Sequence, residues 1–125
     1  FLTKKSSLTY ISSIAGKEII GAPTSYSVAK SSLITFAKNL SFKLAPNTRV
    51  NTICPGNIYF YGGTWHKKTN KNPKIISKML NEKVPLKKFG KPEDVANCAL
   101  FLSSSKADFI TGLSLIVDGG QTISI

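Results

Sequence analysis

Three short runs of apolar and β-branched residues, each closed by turn formers and separated by helical stretches, most constrain the fold of this chain. Ser7 to Ser12, Arg49 to Cys54 and Ser114 to Val117 have the length and composition of strands in a buried parallel sheet. Thr24 or Ser25 can cap a long helix that runs to about Ala45, where Pro46 stops it. On it Val28, Leu33, Phe36, Ala37, Leu40 and Leu44 form an apolar stripe near helical period. Pro73 suits the first turn of a short helix ending near Lys83, and Pro92 opens another that reaches about Ser103. Ile14 to Pro23, Asn57 to Asn72 and Pro85 to Gly90 read as loops, and Ser104 to Asp108 as a turn. Strand, helix, strand, helices, strand is α/β order, and each crossover is expected to be right-handed.

The 125 residues suit one domain, with no internal repeat. A net charge of +11 raises nucleic acid as a partner, yet Arg49 is the only arginine among seventeen basic residues. Arginine grips phosphates and guanines with paired hydrogen bonds, so its scarcity argues against specific nucleic-acid binding. No run approaches the roughly 20 apolar residues of a membrane span. Phe1 to Lys5 lacks the basic-then-apolar order of a secretory signal, and Phe1 and Leu2 read as the tail of an apolar helix. Cys54 falls in a strand and Cys98 in a helix, without metal spacing, and His66 is the only histidine. The expectation is two reduced cysteines, no metal site and a cytoplasmic protein.

Chemistry enters with Tyr26 and Lys30, four residues apart and so one turn above each other on a helix. An ammonium there stabilises the phenolate form of its neighbour and readies the hydroxyl for proton transfer. Ser13, thirteen residues before Tyr26, follows the first strand at its C-terminal end, where open α/β sheets place their chemistry. Ser12 is the neighbouring alternative.

The set Ser13, Tyr26, Lys30 resembles the active site of the short-chain dehydrogenase/reductases, including members like 3-oxoacyl-acyl-carrier-protein reductase. The resemblance continues through Asn51-Thr52-Ile53-Cys54-Pro55-Gly56-Asn57-Ile58. It returns in Gly90-Lys91-Pro92-Glu93-Asp94-Val95-Ala96, in Ile110-Thr111-Gly112 and in Val117-Asp118-Gly119-Gly120. It implies an NAD(P)-dependent oxidoreductase that interconverts a carbonyl and a secondary alcohol. Tyr26 would be the general acid or base, Lys30 would tune it and bind the nicotinamide ribose, and Ser13 would hold the carbonyl oxygen. Pro55, Gly56 and Ile58 would line the nicotinamide, Ile58 through its main chain, and glycine at 56 would allow close approach to the ring. Many relatives carry threonine where this chain has Phe60; Thr64 is the nearby hydroxyl that could replace it.

A dinucleotide-binding fold has two halves, and its glycine-rich phosphate loop belongs to the first. No such loop occurs in this sequence. The resemblance therefore implies that residues 1–125 form the C-terminal, catalytic half of a Rossmann-like, doubly wound parallel sheet with helices on both faces, the N-terminal half being absent. NAD or NADP is the implied cofactor, a small carbonyl or alcohol the substrate, and a homodimer or homotetramer the assembly. Tyr59 to Lys83 would be the substrate lid, and Lys67, Lys71, Lys74 and Lys78, at helical intervals, suit an anionic substrate or simply a solvated face. The alternative is a non-catalytic truncated half that acts as a subunit-pairing module.

Overall fold

In the computed structural model, residues 5–124 are described; Phe1 and Leu2, expected to end a helix, lie outside them. Strand β1 (Ser6–Ile11) leads through a 3-10 turn (Ile14–Gly16) to helix α1 (Thr24–Leu44) and strand β2 (Thr48–Pro55). Helices α2 (Thr64–Lys71), α3 (Pro73–Lys83) and α4 (Pro92–Ser103) follow, then a second 3-10 turn (Ser105–Ala107) and strand β3 (Ser114–Val117). The sheet has the order β1-β2-β3 and is parallel throughout, with Ser7 opposite Arg49, Tyr10 opposite Thr52 and Ile53 opposite Leu115.

Successive side chains on a strand point to opposite faces, and their partners identify what covers each face. Tyr10 meets Phe36 of α1 edge to face at 5.9 Å, and the Ser12 hydroxyl donates to the Lys30 carbonyl, so this face carries α1. Ser7 and Arg49 point the other way, where both donate to the Leu102 carbonyl of α4. Helices therefore lie on both faces, as expected. The expectation of two right-handed crossovers fails, however. Both connections step the same way along the sheet, so helices on opposite faces give them opposite hands. The handedness rule describes one helix packed straight back onto its sheet; a connection through three helices is long enough to reach the other face.

The core lies around β2, where Val50, Ile53 and Cys54 are fully buried together with Leu102 of α4. Arg49 reaches from the sheet to the end of α4. Its guanidinium donates to the carbonyls of Leu102 (2.7 Å), Ser104 (3.1 Å) and Ile110 (3.3 Å), tying the C-terminus of α4 to the segment that leads into β3. Asn51, fully buried, accepts from the Leu113 N–H and donates to the Ile110 carbonyl, which sets the entry to β3. At the other end of α4 the Asp94 carboxylate accepts the Lys91 N–H at 2.7 Å.

Two local expectations are corrected. Residues 57–72 contain α2 rather than loop alone. Its sequence, TWHKKTNK, has no apolar period, and aromatic packing from outside holds it instead: Trp65 and Tyr59 each lie 5.4 Å from Phe89. His66 reaches back from α2 to accept the Gly62 N–H. At the start of α1 neither Thr24 nor Ser25 is the cap: the helix begins at Thr24, after Pro23, without a side-chain capping bond.

Of the apolar stripe on α1, Ala37 is buried and Leu33, Leu40 and Leu44 are half-buried, while Val28 is exposed and Phe36 remains more than half exposed beside Tyr10. Phe42 is 90% exposed, and no described strand pairs with the outer edge of β1.

Candidate active site

The C-terminal ends of the parallel strands gather the candidate residues. Ser13 stands just beyond β1 in extended conformation, and its side-chain oxygen accepts the Ala15 N–H at 3.1 Å, capping the first 3-10 turn. That bond uses the oxygen as an acceptor and leaves the hydroxyl proton available for donation. Ser12, the alternative, spends its own proton on the Lys30 carbonyl at 2.8 Å.

Tyr26 is in the first turn of α1 with its ring 44% exposed, and the Lys30 ammonium lies 5.6 Å from the ring centroid. The same ammonium donates to the Ile11 carbonyl at 3.2 Å, the last residue of β1. Two reciprocal bonds, Ser12 to Lys30 and Lys30 to Ile11, thus stitch the strand end to the helix carrying Tyr26. Gly16 permits this closeness: a Cβ there would lie 2.7 Å from the Lys30 carbonyl carbon and the Ser31 nitrogen. Ser13, Tyr26 and Lys30 are consequently held at one end of one strand–helix junction.

Pro55 ends β2, and Gly56 follows with its N–H bonded to the Val117 carbonyl. A second reason for glycine at 56 comes from within the chain. A Cβ there would meet Asp118, 2.6 Å from its Cβ, so Gly56 makes room for the turn after β3. Ile58 bridges Gly90, with Tyr59 N–H donating to the Gly90 carbonyl and Gly90 N–H to the Asn57 carbonyl. In a parallel bridge of this form the N–H and C=O of Ile58 itself point away from Gly90. Ile58, Asn57, Phe89 and Gly90 border a cavity of about 210 Å³ together with Asp118 and Gly119. A larger groove, about 410 Å³, runs along Thr24, Ser27, Val28 and Ser31 and does not include Tyr26 or Lys30.

Cys54 lies beside this junction. Burial pushes its thiol above the usual value, opposed by the Lys17 and Lys30 charges and the Ser13 backbone N–H. Both cysteines are free, and no group of three metal-ligating side chains occurs among the described residues. No helix there is long and apolar enough to cross a membrane.

Sequence reasoning missed Glu18 and gave Asp118 no partner beyond its place in the run Val117-Asp118-Gly119-Gly120. Asp118 accepts from the N–H of Gly120 and from both the N–H and hydroxyl of Thr122. Glu18 accepts the N–H groups of Ile123 (3.0 Å) and Ser124 (2.6 Å). Asp-Gly-Gly announces the first; a lone loop glutamate gives no sign of a partner 105 residues away.

The family model described as enoyl-(acyl carrier protein) reductase matches residues 1–122. Isoepoxydon dehydrogenase patN of Aspergillus clavatus is 38% identical over 118 residues, covering 93% of this chain and 45% of that protein. The short-chain dehydrogenase/reductase SDRA of Arabidopsis thaliana is 35% identical over 120 residues, covering 96% of this chain and 46% of that protein. Among solved structures, L-sorbose reductase from Gluconobacter frateurii, complexed with NADPH and L-sorbose, superposes with a TM-score of 0.87. It is 29% identical, with 96% of this chain and 48% of that chain covered. The chain spans about half the length of the curated relatives it matches.

Proposed function

The chain belongs to the short-chain dehydrogenase/reductase family, and on that premise we propose that it is the C-terminal, catalytic half of an NAD(P)-dependent oxidoreductase. The reaction is the interconversion of a carbonyl and a secondary alcohol. The observation that carries this reading is the stitched junction, which holds Ser13, Tyr26 and Lys30 at the C-terminal end of β1.

The residues present fit a nicotinamide cofactor. Ile58 turns a main-chain N–H and C=O away from its bridge, the donor and acceptor a carboxamide requires. Lys30 has three ammonium protons and spends one on Ile11, so others remain for a ribose hydroxyl. The chemistry supplied by NAD or NADP, when bound, is hydride transfer at the carbinol carbon. Relatives solved with NADH, NADPH and NAD support the cofactor class. Ser13 donates its free proton to the substrate oxygen and stabilises charge that develops there. Tyr26 passes its phenolic proton to that oxygen in reduction and takes it back in oxidation. Lys30, fixed on Ile11, supports the phenolate that results.

In the whole enzyme, Tyr26→Phe is expected to lower turnover at least about a hundredfold while cofactor affinity stays near wild type. Unchanged turnover would remove Tyr26 from the mechanism. The substrate is a small carbonyl or alcohol, and the exposed lysines of α2 and α3 suit an anionic one. We place the enzyme in the cytoplasm.

A homodimer or homotetramer through α1 fits the outward Val28, Phe36 and Phe42. Those side chains also favour the second reading, a non-catalytic half that pairs with a complete subunit. Failure to co-elute with a complete homologue on gel filtration would sink it.

A further inference from the structure

The segment after β3 is held by two carboxylates from different parts of the fold. Asp118, packed against Gly56, binds Gly120 and Thr122. Glu18 then takes two successive backbone N–H groups, Ile123 and Ser124, on the single oxygen Oε1. Consecutive amides converging on one anion form a compact, charge-assisted site. Glu18 is five residues beyond Ser13, directly after the 3-10 turn that Ser13 caps, and the 3-10 turn is wedged by Gly16 onto the backbone of α1. A continuous path of contacts thus runs from the Pro55–Gly56 turn through Asp118, Thr122 and Ser124 to Glu18 and back to Ser13.

We infer that Glu18 is a positioning residue, which fixes the Ser13 loop against the C-terminal segment and thereby sets Ser13 relative to the Pro55–Gly56 turn. The inference rests on the oxidoreductase reading above. In this role Glu18 acts on the segment after β3 and not on the reacting atoms. The Ser124 hydroxyl, then the Ser124 and Ile123 backbone N–H groups, hold its carboxyl below the ordinary value, against desolvation and the Asp118 charge, as a clamped carboxylate requires.

The test is a double-mutant cycle in the whole enzyme. Glu18→Ala is expected to lower kcat about tenfold to a hundredfold, with the KM for cofactor unchanged, since sub-ångström misplacement of a reacting group has effects of that order. Glu18→Gln keeps the accepting oxygen and should restore most of the loss. Ile123→Pro with Ser124→Pro removes both donors and should reproduce Glu18→Ala, and combining all three changes should add nothing further. Hydrogen exchange at the Ile123 and Ser124 amides reads the clamp without turnover, and their protection should vanish in Glu18→Ala. Equal protection in Glu18→Ala would overturn the clamp. Lost protection with wild-type kcat, or full additivity in the cycle, would overturn the positioning role. An enzyme inactive in every arm, wild type included, would instead overturn the oxidoreductase reading and the positioning role with it, leaving the clamp to be decided by exchange.

Discussion

A methyl group at position 16 would collide with the main chain of α1. Its Cβ would stand 2.7 Å from the Lys30 carbonyl carbon and the Ser31 nitrogen and 2.9 Å from the Lys30 oxygen, where ordinary contact begins near 3.4 Å. The 3-10 turn and α1 must therefore separate by about 0.7 Å, the shortfall between those distances. The opposing atoms belong to a helix backbone, so no flexible side chain can yield. That movement carries the 2.8 Å bond from Ser12 to the Lys30 carbonyl to the limit of hydrogen-bond length. Overpacking of this kind costs about 1–3 kcal/mol, which lowers Tm by roughly 2–4 °C per kcal/mol in a domain of the relatives' size. Activity should suffer more than stability. A displacement of about 1 Å in a catalytic group costs on the order of a hundredfold, so Gly16→Ala should lose about tenfold or more in kcat.

The assay is thermal denaturation beside steady-state carbonyl reduction by the whole enzyme. Gly112→Ala is the control. Its φ of 72° penalises any side chain, and its Cβ would meet Ser41 and Lys38 at the opposite end of the sheet from Tyr26. It should lose comparable stability with kcat preserved. Wild-type kcat in Gly16→Ala, or an equal loss in Gly112→Ala, would refute the idea that close backbone packing at Gly16 sets the site.

Arg49→Met removes three charge-assisted bonds, leaving the Leu102, Ser104 and Ile110 carbonyls with Ser7, Ala107 and Asn51 as their remaining donors. A loss of about 2–3 kcal/mol is expected, read as a Tm lower by roughly 5–10 °C with kcat retained. The tail clamp has a defined pH window. The folded-state pKa of Glu18 is below the ordinary 4.5, so the clamp contributes fully above that value and is lost as pH falls through the lower folded one. Protection from exchange at Ile123 and Ser124, corrected for its intrinsic pH dependence, should stay constant from about pH 5 to 8; loss of protection already near neutrality would contradict the assignment.

The strands, α1, α3 and α4 were legible because each carries its own local signal. β-branched runs mark the strands, Pro73 and Pro92 mark helix starts, and Pro46 marks an end. Tyr26 and Lys30 could be placed together because four residues make one helical turn, whereas Ser13 joined them only through the resemblance. What escaped depends on partners distant in sequence. α2 stands on contacts with Phe89, and Gly56 makes room for Asp118, sixty-two positions later. The hand of the second crossover is likewise decided by which face receives α4, and Ser7 and Arg49 reveal that only through their bonds to Leu102.

Arg49 also separates compositional drift from geometric necessity. Of seventeen basic residues every other one is lysine, a uniformity that a bias in base composition would produce by itself. The exception is the one cation whose flat fork must serve three carbonyls in fixed directions. A tetrahedral ammonium on a flexible stem carries the same charge but does not match that spread of acceptors. At position 49, then, the shape of the cation and not its charge alone is what the three carbonyls require.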